Sequence, residues 1–271
     1  VFVFDGLNKV RHYYHWIISA RYLENHVVEP FGKSRHKWQK AIFAHLLSAH
    51  FMSALKANKS KMETYVQYGC GLSAPAGWIN FDSSPTLKIQ KTPIIGSLVK
   101  SRLNTVFPDS VKFGDIVKGL PITNESCDAI YCSHVLEHLS LEDFRIALKN
   151  THKLLKRGGL FRLVMPDFEV LVNTYVNSKK NGNPEAAIKF MKDSGMALES
   201  RTRGMKGMLE GTLGNARHQW LWDDTSTMIE LEKAGFKQIR KCEFNDSSIE
   251  AFKLVEDADR FRGALAFEMT R

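Results

Sequence analysis

Covalent staples are scarce in this sequence. Its 271 residues hold four scattered cysteines, Cys70, Cys127, Cys132 and Cys242, with no CxxC pair and no His/Cys cluster at ligand spacing. That argues against a disulfide framework or a zinc site and for reduced thiols in a cytoplasmic protein. Long apolar runs are missing too: the longest, Ala41 to Leu55, is broken by His45 and His50 and is too short to span a bilayer. No signal peptide, internal repeat or low-complexity tract is visible. There is no acidic excess either, since 38 Lys+Arg against 29 Asp+Glu give a net charge of +9. Such a balance suits an anionic partner, nucleic acid included, and is also common in proteins that bind none. What is present is 44% hydrophobic content, enough to bury a full core without staples.

The most informative stretch is Thr64 to Ser84, TYVQYGCGLSAPAGWINFDSS. A strand breaks into a turn at Gly69 and Gly71, and a second apolar run, Trp78 to Phe81, stops on Asp82. Glycines there let the backbone approach a ligand that any side chain would displace. A carboxylate at the end of the next strand can accept both hydroxyls of a ribose. Together they indicate a nucleoside-containing cofactor. Only seven residues, Leu72 to Trp78, separate Gly71 from Ile79, whereas a crossover with a helix takes ~10 to 12 or more. The first crossover helix is therefore expected to be shortened or absent. A nicotinamide dehydrogenase is disfavoured on the same ground, and because Ala74 stands where the third glycine of G-x-G-x-x-G belongs.

Residues 1–62 read as a helical extension, with Trp38, Ile42, His45, Leu46, Ala49 and Met52 at three- and four-residue steps. Residues 63–271 read as the main domain. A helix is expected over about 94–107, and short strands at 111–113, 127–132 and 160–165. Ser140 and Asp143 have capping-box spacing for a helix that Gly158-Gly159 would end. The segment at about 168–222 reads as an inserted lid, and Asp224 as the cap of a last helix ending at Gly235. Strands 236–244 and 264–270 close the chain. Strands alternating with helices imply an α/β fold, a mostly parallel sheet with helices on both faces.

The ordered series YVQYGCG, INFDSS, FGDI, CDAIYCSHVLEHL, LLKRGGLFRLVMPD and EKAGFKQI resembles the class I S-adenosylmethionine-dependent methyltransferases. It is closest to the small bacterial group in which a GCG turn is followed almost at once by a GWIN-x-D strand. The resemblance covers about residues 64–271 and implies a Rossmann-like sheet with an antiparallel last strand, and S-adenosylmethionine as cofactor. It places Gly69, Cys70 and Gly71 against the methionine and ribose, Asp82 with Ser83 at the ribose hydroxyls, and Asp115 with Ile116 at the adenine. Ser133 and His134 would line the floor beneath the sulfonium.

A protonated oxygen or nitrogen nucleophile benefits from a general base. The candidates are His138, His218, Asp167 and His134, with His138 and His218 preferred. His134 to His138 also match the H-x-x-E-H pattern of an inverted zinc protease, but the pentad sits at the end of a buried strand, so it is read as orienting a loop and no metal ligand is assigned. The expected acceptor is a small molecule or glycan. A nucleic-acid or protein acceptor, suggested by the +9 charge with Lys192, Arg201, Arg203 and Lys206, comes second. A module that keeps the fold without turnover comes third.

Overall fold

The computed structural model describes residues 63–93, 96, 105–200 and 217–271. The N-terminal extension at 1–62, nearly all of the helix expected over 94–107, and residues 201–216 of the inserted segment lie outside the described residues.

Seven strands form one sheet in the order β3-β2-β1-β4-β5-β7-β6. They are β1 (Tyr65–Tyr68), β2 (Trp78–Asp82), β3 (Lys112–Phe113), β4 (Cys127–Ser133), β5 (Leu155–Pro166), β6 (Lys237–Lys241) and β7 (Ala264–Thr270). The first five run parallel, and β7 is antiparallel to both β5 and β6. Strand order reverses between β1 and β4, and the carboxyl ends of those two strands bound the crevice where such sheets take their ligands. Among the described residues no helix is long and apolar enough to cross a membrane.

Alternate residues of each strand feed opposite faces. Val66, Tyr68, Phe81, Ile130, Cys132, Phe161 and Leu163 join the larger core, with Phe144 and Leu148 of a 14-residue helix and Leu231 of another. Trp78, Ala129, Tyr131, Val164 and Ala266 form the second core, under Phe252 of a 3-10 turn at Glu250–Leu254 and Val255 just after it.

The helices, in chain order, are α1 (Pro85–Gln90), α2 (Leu141–Leu154), α3 (Phe168–Lys180), α4 (Ala186–Asp193), α5 (Asp224–Ala234) and α6 (Ala258–Phe261). Ser140 caps α2 by accepting the Asp143 amide at 3.2 Å. The helix ends at Leu154, and β5 starts on the next residue. Gly158-Gly159 does not close the helix as expected. It lies in a bulge, where pairing jumps from Cys127↔Leu155 to Ala129↔Leu160. Gly158 has φ +76°, and a Cβ at Gly159 would stand 3.0 Å from the Cys127 and Lys156 carbonyl oxygens. The cap of α5 is Asp223, one residue before the expected Asp224, because Asp223 keeps an extended backbone and accepts the Ser226 amide at 2.8 Å.

One buried cation ties the last third of the chain to the sheet. Arg162 of β5 has no exposed surface. Its guanidinium donates to Glu256, to Asp246 at 2.9 Å and to Glu268 at 3.2 Å, and to the Glu243 carbonyl. Arg240 shares Asp246 and Glu268. These bonds anchor residues 243–256, the segment that leads into one wall of the crevice.

Candidate functional site

The crevice starts where β1 ends. Gly69 has φ +65°, and a Cβ on it would come within 2.1 Å of Val135 Cγ2, so the position is closed to other residues on both counts. From there the chain reaches β2 through residues 69–77, which contain no helix. Two buried amides hold this loop instead. Gln67 Nε2 donates to the Ser73 carbonyl at 2.7 Å and to Asn80 Oδ1 at 2.6 Å, while Asn80 Nδ2 donates to the Trp78 carbonyl at 3.2 Å. The Asp82 carboxylate braces the far end: Oδ2 accepts the Gly71 amide at 3.0 Å and Oδ1 the Ser84 amide at 2.8 Å. A carboxylate offers about four acceptor positions, so two remain for a ligand.

A cavity of about 680 Å³ opens beside this loop, within the ~300–1,000 Å³ usual for ligand sites. Its lining includes Gly69, Cys70, Tyr131 and Ser133 from the sheet and its turns, and Glu256, Asp257 and Arg260 from the later segment. Tyr131 Oη and Ser133 Oγ are buried in its wall and have no hydrogen-bond partner among the described residues. Buried polar groups are normally satisfied. Two orphan hydroxyls, a carboxylate with spare acceptor capacity and backbone freed of side chains fit a polar, nucleoside-bearing ligand such as S-adenosylmethionine.

Of the residues expected to bind cofactor, Gly69, Cys70 and Ser133 line the cavity, and Gly71 and Asp82 adjoin it through their shared bond. Ser83 is exposed. Asp115 is engaged in its own turn, accepting the Val117 amide at 3.0 Å and pairing with Lys118 at 3.2 Å. Ile116 is buried in the larger core, and its carbonyl takes the Asn150 amide at 2.8 Å. Burial and the Asp82 charge push the Cys70 thiol up to about 12, so it is a neutral wall group and not a nucleophile.

Beyond Ser133 the chain makes a sharp corner. His134 has φ +53°, and its Nε2 lies 2.8 Å from the Arg260 carbonyl while Nδ1 lies 3.4 Å from Glu137 Oε1. Burial lowers the His134 pKa, but the Glu137 carboxylate and the Arg260 carbonyl outweigh it and hold it above the ordinary value. A 3-10 turn at Leu136–His138 follows and brings Glu137 and His138 together with His218. The His138 and His218 rings meet edge to face with centroids 4.8 Å apart. His218 Nδ1 is 2.7 Å from the Ser194 carbonyl, and its Nε2 is 3.9 Å from Glu137 Oε1. The Glu137 carbonyl accepts the Gln219 amide at 2.8 Å and the Trp220 amide at 3.2 Å, which fixes the His218 segment against the turn.

Asp167 caps α3, accepting the Glu169 amide at 2.8 Å, and bridges to Trp222 in the segment that follows His218. Trp222 stacks on Phe144 at 4.1 Å in the core, whereas Trp220 is 41% exposed. Spacing revealed His134, Glu137 and His138 as a motif. It could not reveal that His218, eighty residues on, completes the cluster, nor that Tyr131 leaves its hydroxyl in the cavity wall.

Residues 66–163 match the family model described as a methyltransferase domain. No curated protein matches the chain. Among solved structures, one neighbour is an S-adenosylmethionine-dependent methyltransferase of Thermotoga maritima, described as a possible histamine N-methyltransferase. It is 16% identical, with 88% of this chain and 95% of that one covered and a TM-score of 0.41. A second is an S-adenosylmethionine-dependent methyltransferase of Archaeoglobus fulgidus, 14% identical over 84% and 94% of the two chains, with a TM-score of 0.39. A third, phosphoethanolamine N-methyltransferase 2 of Haemonchus contortus in complex with S-adenosyl-L-methionine, is 11% identical over 80% of this chain and 51% of that one, with a TM-score of 0.37.

Proposed function

We propose that this chain, which carries a methyltransferase domain over residues 66–163 and takes S-adenosylmethionine as its cofactor, methylates an oxygen or nitrogen of a small-molecule or saccharide acceptor, a hydroxyl oxygen first. When bound, the cofactor supplies an electrophilic methyl group. Gly69, Cys70 and Gly71 would cradle it, Asp82 would hold its ribose, and Ser133 and His134 would form the floor beneath the sulfonium.

The observation that supports the hydroxyl reading is the Glu137, His138 and His218 cluster, which begins four residues after a cavity-lining serine and whose side-chain groups include polar atoms with no hydrogen-bond partner among the described residues. In-line methyl transfer otherwise needs mainly alignment. A nucleophile that starts protonated needs somewhere for its proton to go, and the two imidazoles provide it. His138→Ala is expected to lower kcat by about 10²- to 10⁴-fold, while S-adenosylhomocysteine binding, measured calorimetrically, stays within a few-fold of wild type.

The function itself is tested by incubating the protein and S-adenosylmethionine with hydroxylated small molecules, monosaccharides and amines, and following the mass of one added methyl by spectrometry. Product from RNA or a protein acceptor, with none from this panel, would overturn the acceptor assignment. A smaller structural prediction concerns the cradle. Gly69→Ala forces a left-handed alanine, at roughly 1–2 kcal/mol, against Val135. Thermal melting should fall by several degrees, and S-adenosylhomocysteine should bind at least about tenfold more weakly.

A further inference from the structure

We infer that Glu137, His138 and His218 form a binding site for one divalent transition-metal ion. Each offers a ligand atom, and these atoms lie within 4.8 Å of one another. Around an ion with bonds of ~2.0–2.1 Å, neighbouring ligand atoms sit roughly 3.3 Å apart, so the three groups need draw together by no more than about 1.5 Å. Two imidazoles and a carboxylate, without thiolate, are a ligand set for ions such as Zn²⁺ or Co²⁺.

Four features point to a cation and not to an idle polar cluster. The Ser194 carbonyl can only accept, so His218 Nδ1 carries the hydrogen, and Nε2, 3.9 Å from Glu137 Oε1, is the ring atom left to ligate an ion. Bonding of the distal ring nitrogen to a backbone carbonyl is also the usual way a ligating histidine is oriented. Second, the Glu137 side chain is only 1% exposed, and among the described residues neither oxygen has a partner within hydrogen-bond geometry, the nearest basic atom being His134 Nδ1 at 3.4 Å; a carboxylate so buried calls for compensating charge beyond one imidazole. His134 lies near one oxygen only. Third, His138 Nδ1 is likewise buried and has no hydrogen-bond partner among the described residues. Fourth, the position of the His218 ring is built in: a Cβ at Gly195 would stand 2.5 Å from its Nδ1.

Three protein ligands leave a coordination position for water or another oxygen. The site neighbours the cavity through His134, whose Nε2 bonds the carbonyl of the cavity-lining Arg260. Use of that open position by an acceptor hydroxyl rests on the methyl-transfer reading above. Binding of the ion does not. With the ion in place, His138 and His218 are its ligands, and the proton acceptance assigned to these imidazoles above belongs to the ion-free protein.

The test is titration of chelator-treated protein with Co²⁺, read by its visible absorption bands and by calorimetry, without acceptor or turnover. Saturation at one ion per chain is expected. His138→Ala and His218→Ala should each weaken binding by at least about tenfold to a hundredfold, whereas His152→Ala, outside the cluster, should titrate as wild type. Retained S-adenosylhomocysteine binding shows that the variants are folded. A second measurement needs no variant: Zn²⁺ should protect His138 and His218 of the wild type from acylation by diethylpyrocarbonate, located by mass spectrometry. Absence of a saturable Co²⁺ signal, wild-type affinity in both cluster variants, or unprotected rings would each overturn the site. Failure of methyl transfer would leave these readings unaltered.

Discussion

Asp82→Ala is expected to weaken S-adenosylhomocysteine binding by roughly 10²- to 10⁴-fold, the largest loss of cofactor affinity from any single truncation in the crevice. Hydrogen bonds to a charged group contribute ~1.5–3 kcal/mol each, and two ribose hydroxyls on one carboxylate would therefore account for about that range. The truncation also frees the Gly71 and Ser84 amides that the carboxylate now binds at 3.0 Å and 2.8 Å, so the glycine turn loses its brace together with its ligand contact. Asp82→Asn separates the two effects. An amide can accept on one side only, so one of the two backbone bonds survives and an intermediate loss is expected. Calorimetric titration of both variants decides the matter; unchanged affinity in Asp82→Ala would remove the ribose role.

The second large effect is on stability. Arg162→Ala leaves Glu256, whose side chain has no exposed surface, without its cation. Removing one partner of a buried ion pair typically costs about 3–5 kcal/mol, so a denaturant or calorimetric melt should show a marked drop. Arg162→Met together with Glu256→Gln takes away both charges and should recover much of it. The network also has an acid signature. Burial raises the Asp246 carboxyl, but bonds from Arg240, the Glu243 amide and Arg162 outweigh it and hold it at about 2, below the unbonded value of 3.8. A depressed carboxyl adds stability that is present above the unfolded pKa and is lost as pH falls through the folded one. Wild type should therefore lose stability between about pH 4 and pH 2, and Arg162→Ala should lose less there.

Much of this was readable from residue order. WINFD marks β2 to the residue, CDAIYC marks β4 to within one, and the residue count between Gly71 and Ile79 foretold a connection without a helix. Local chemistry misled where two structures use the same residues. Gly158-Gly159 is an ordinary helix stop, yet the backbone needs those glycines for a bulge. The local bonds of Asp115, to the Val117 amide and Lys118, and of Asp167, as the cap of α3, were likewise not legible in their motifs. Contacts between distant segments were not readable at all. The meeting of Glu137 with His218, and of Arg162 with Glu256, depends on how loops return to the sheet, and no periodicity records that.

The helix-free connection between β1 and β2 also bears on how the chain folds. Tyr65 pairs with Trp78, only 13 residues away, while the same residue pairs on its other side with Ala129, 64 residues away. Closing the longer loop costs roughly 1.4 kcal/mol more in chain entropy. The glycine turn and its braced acid can therefore zip up as a local unit, at low contact order, before the rest of the sheet is recruited.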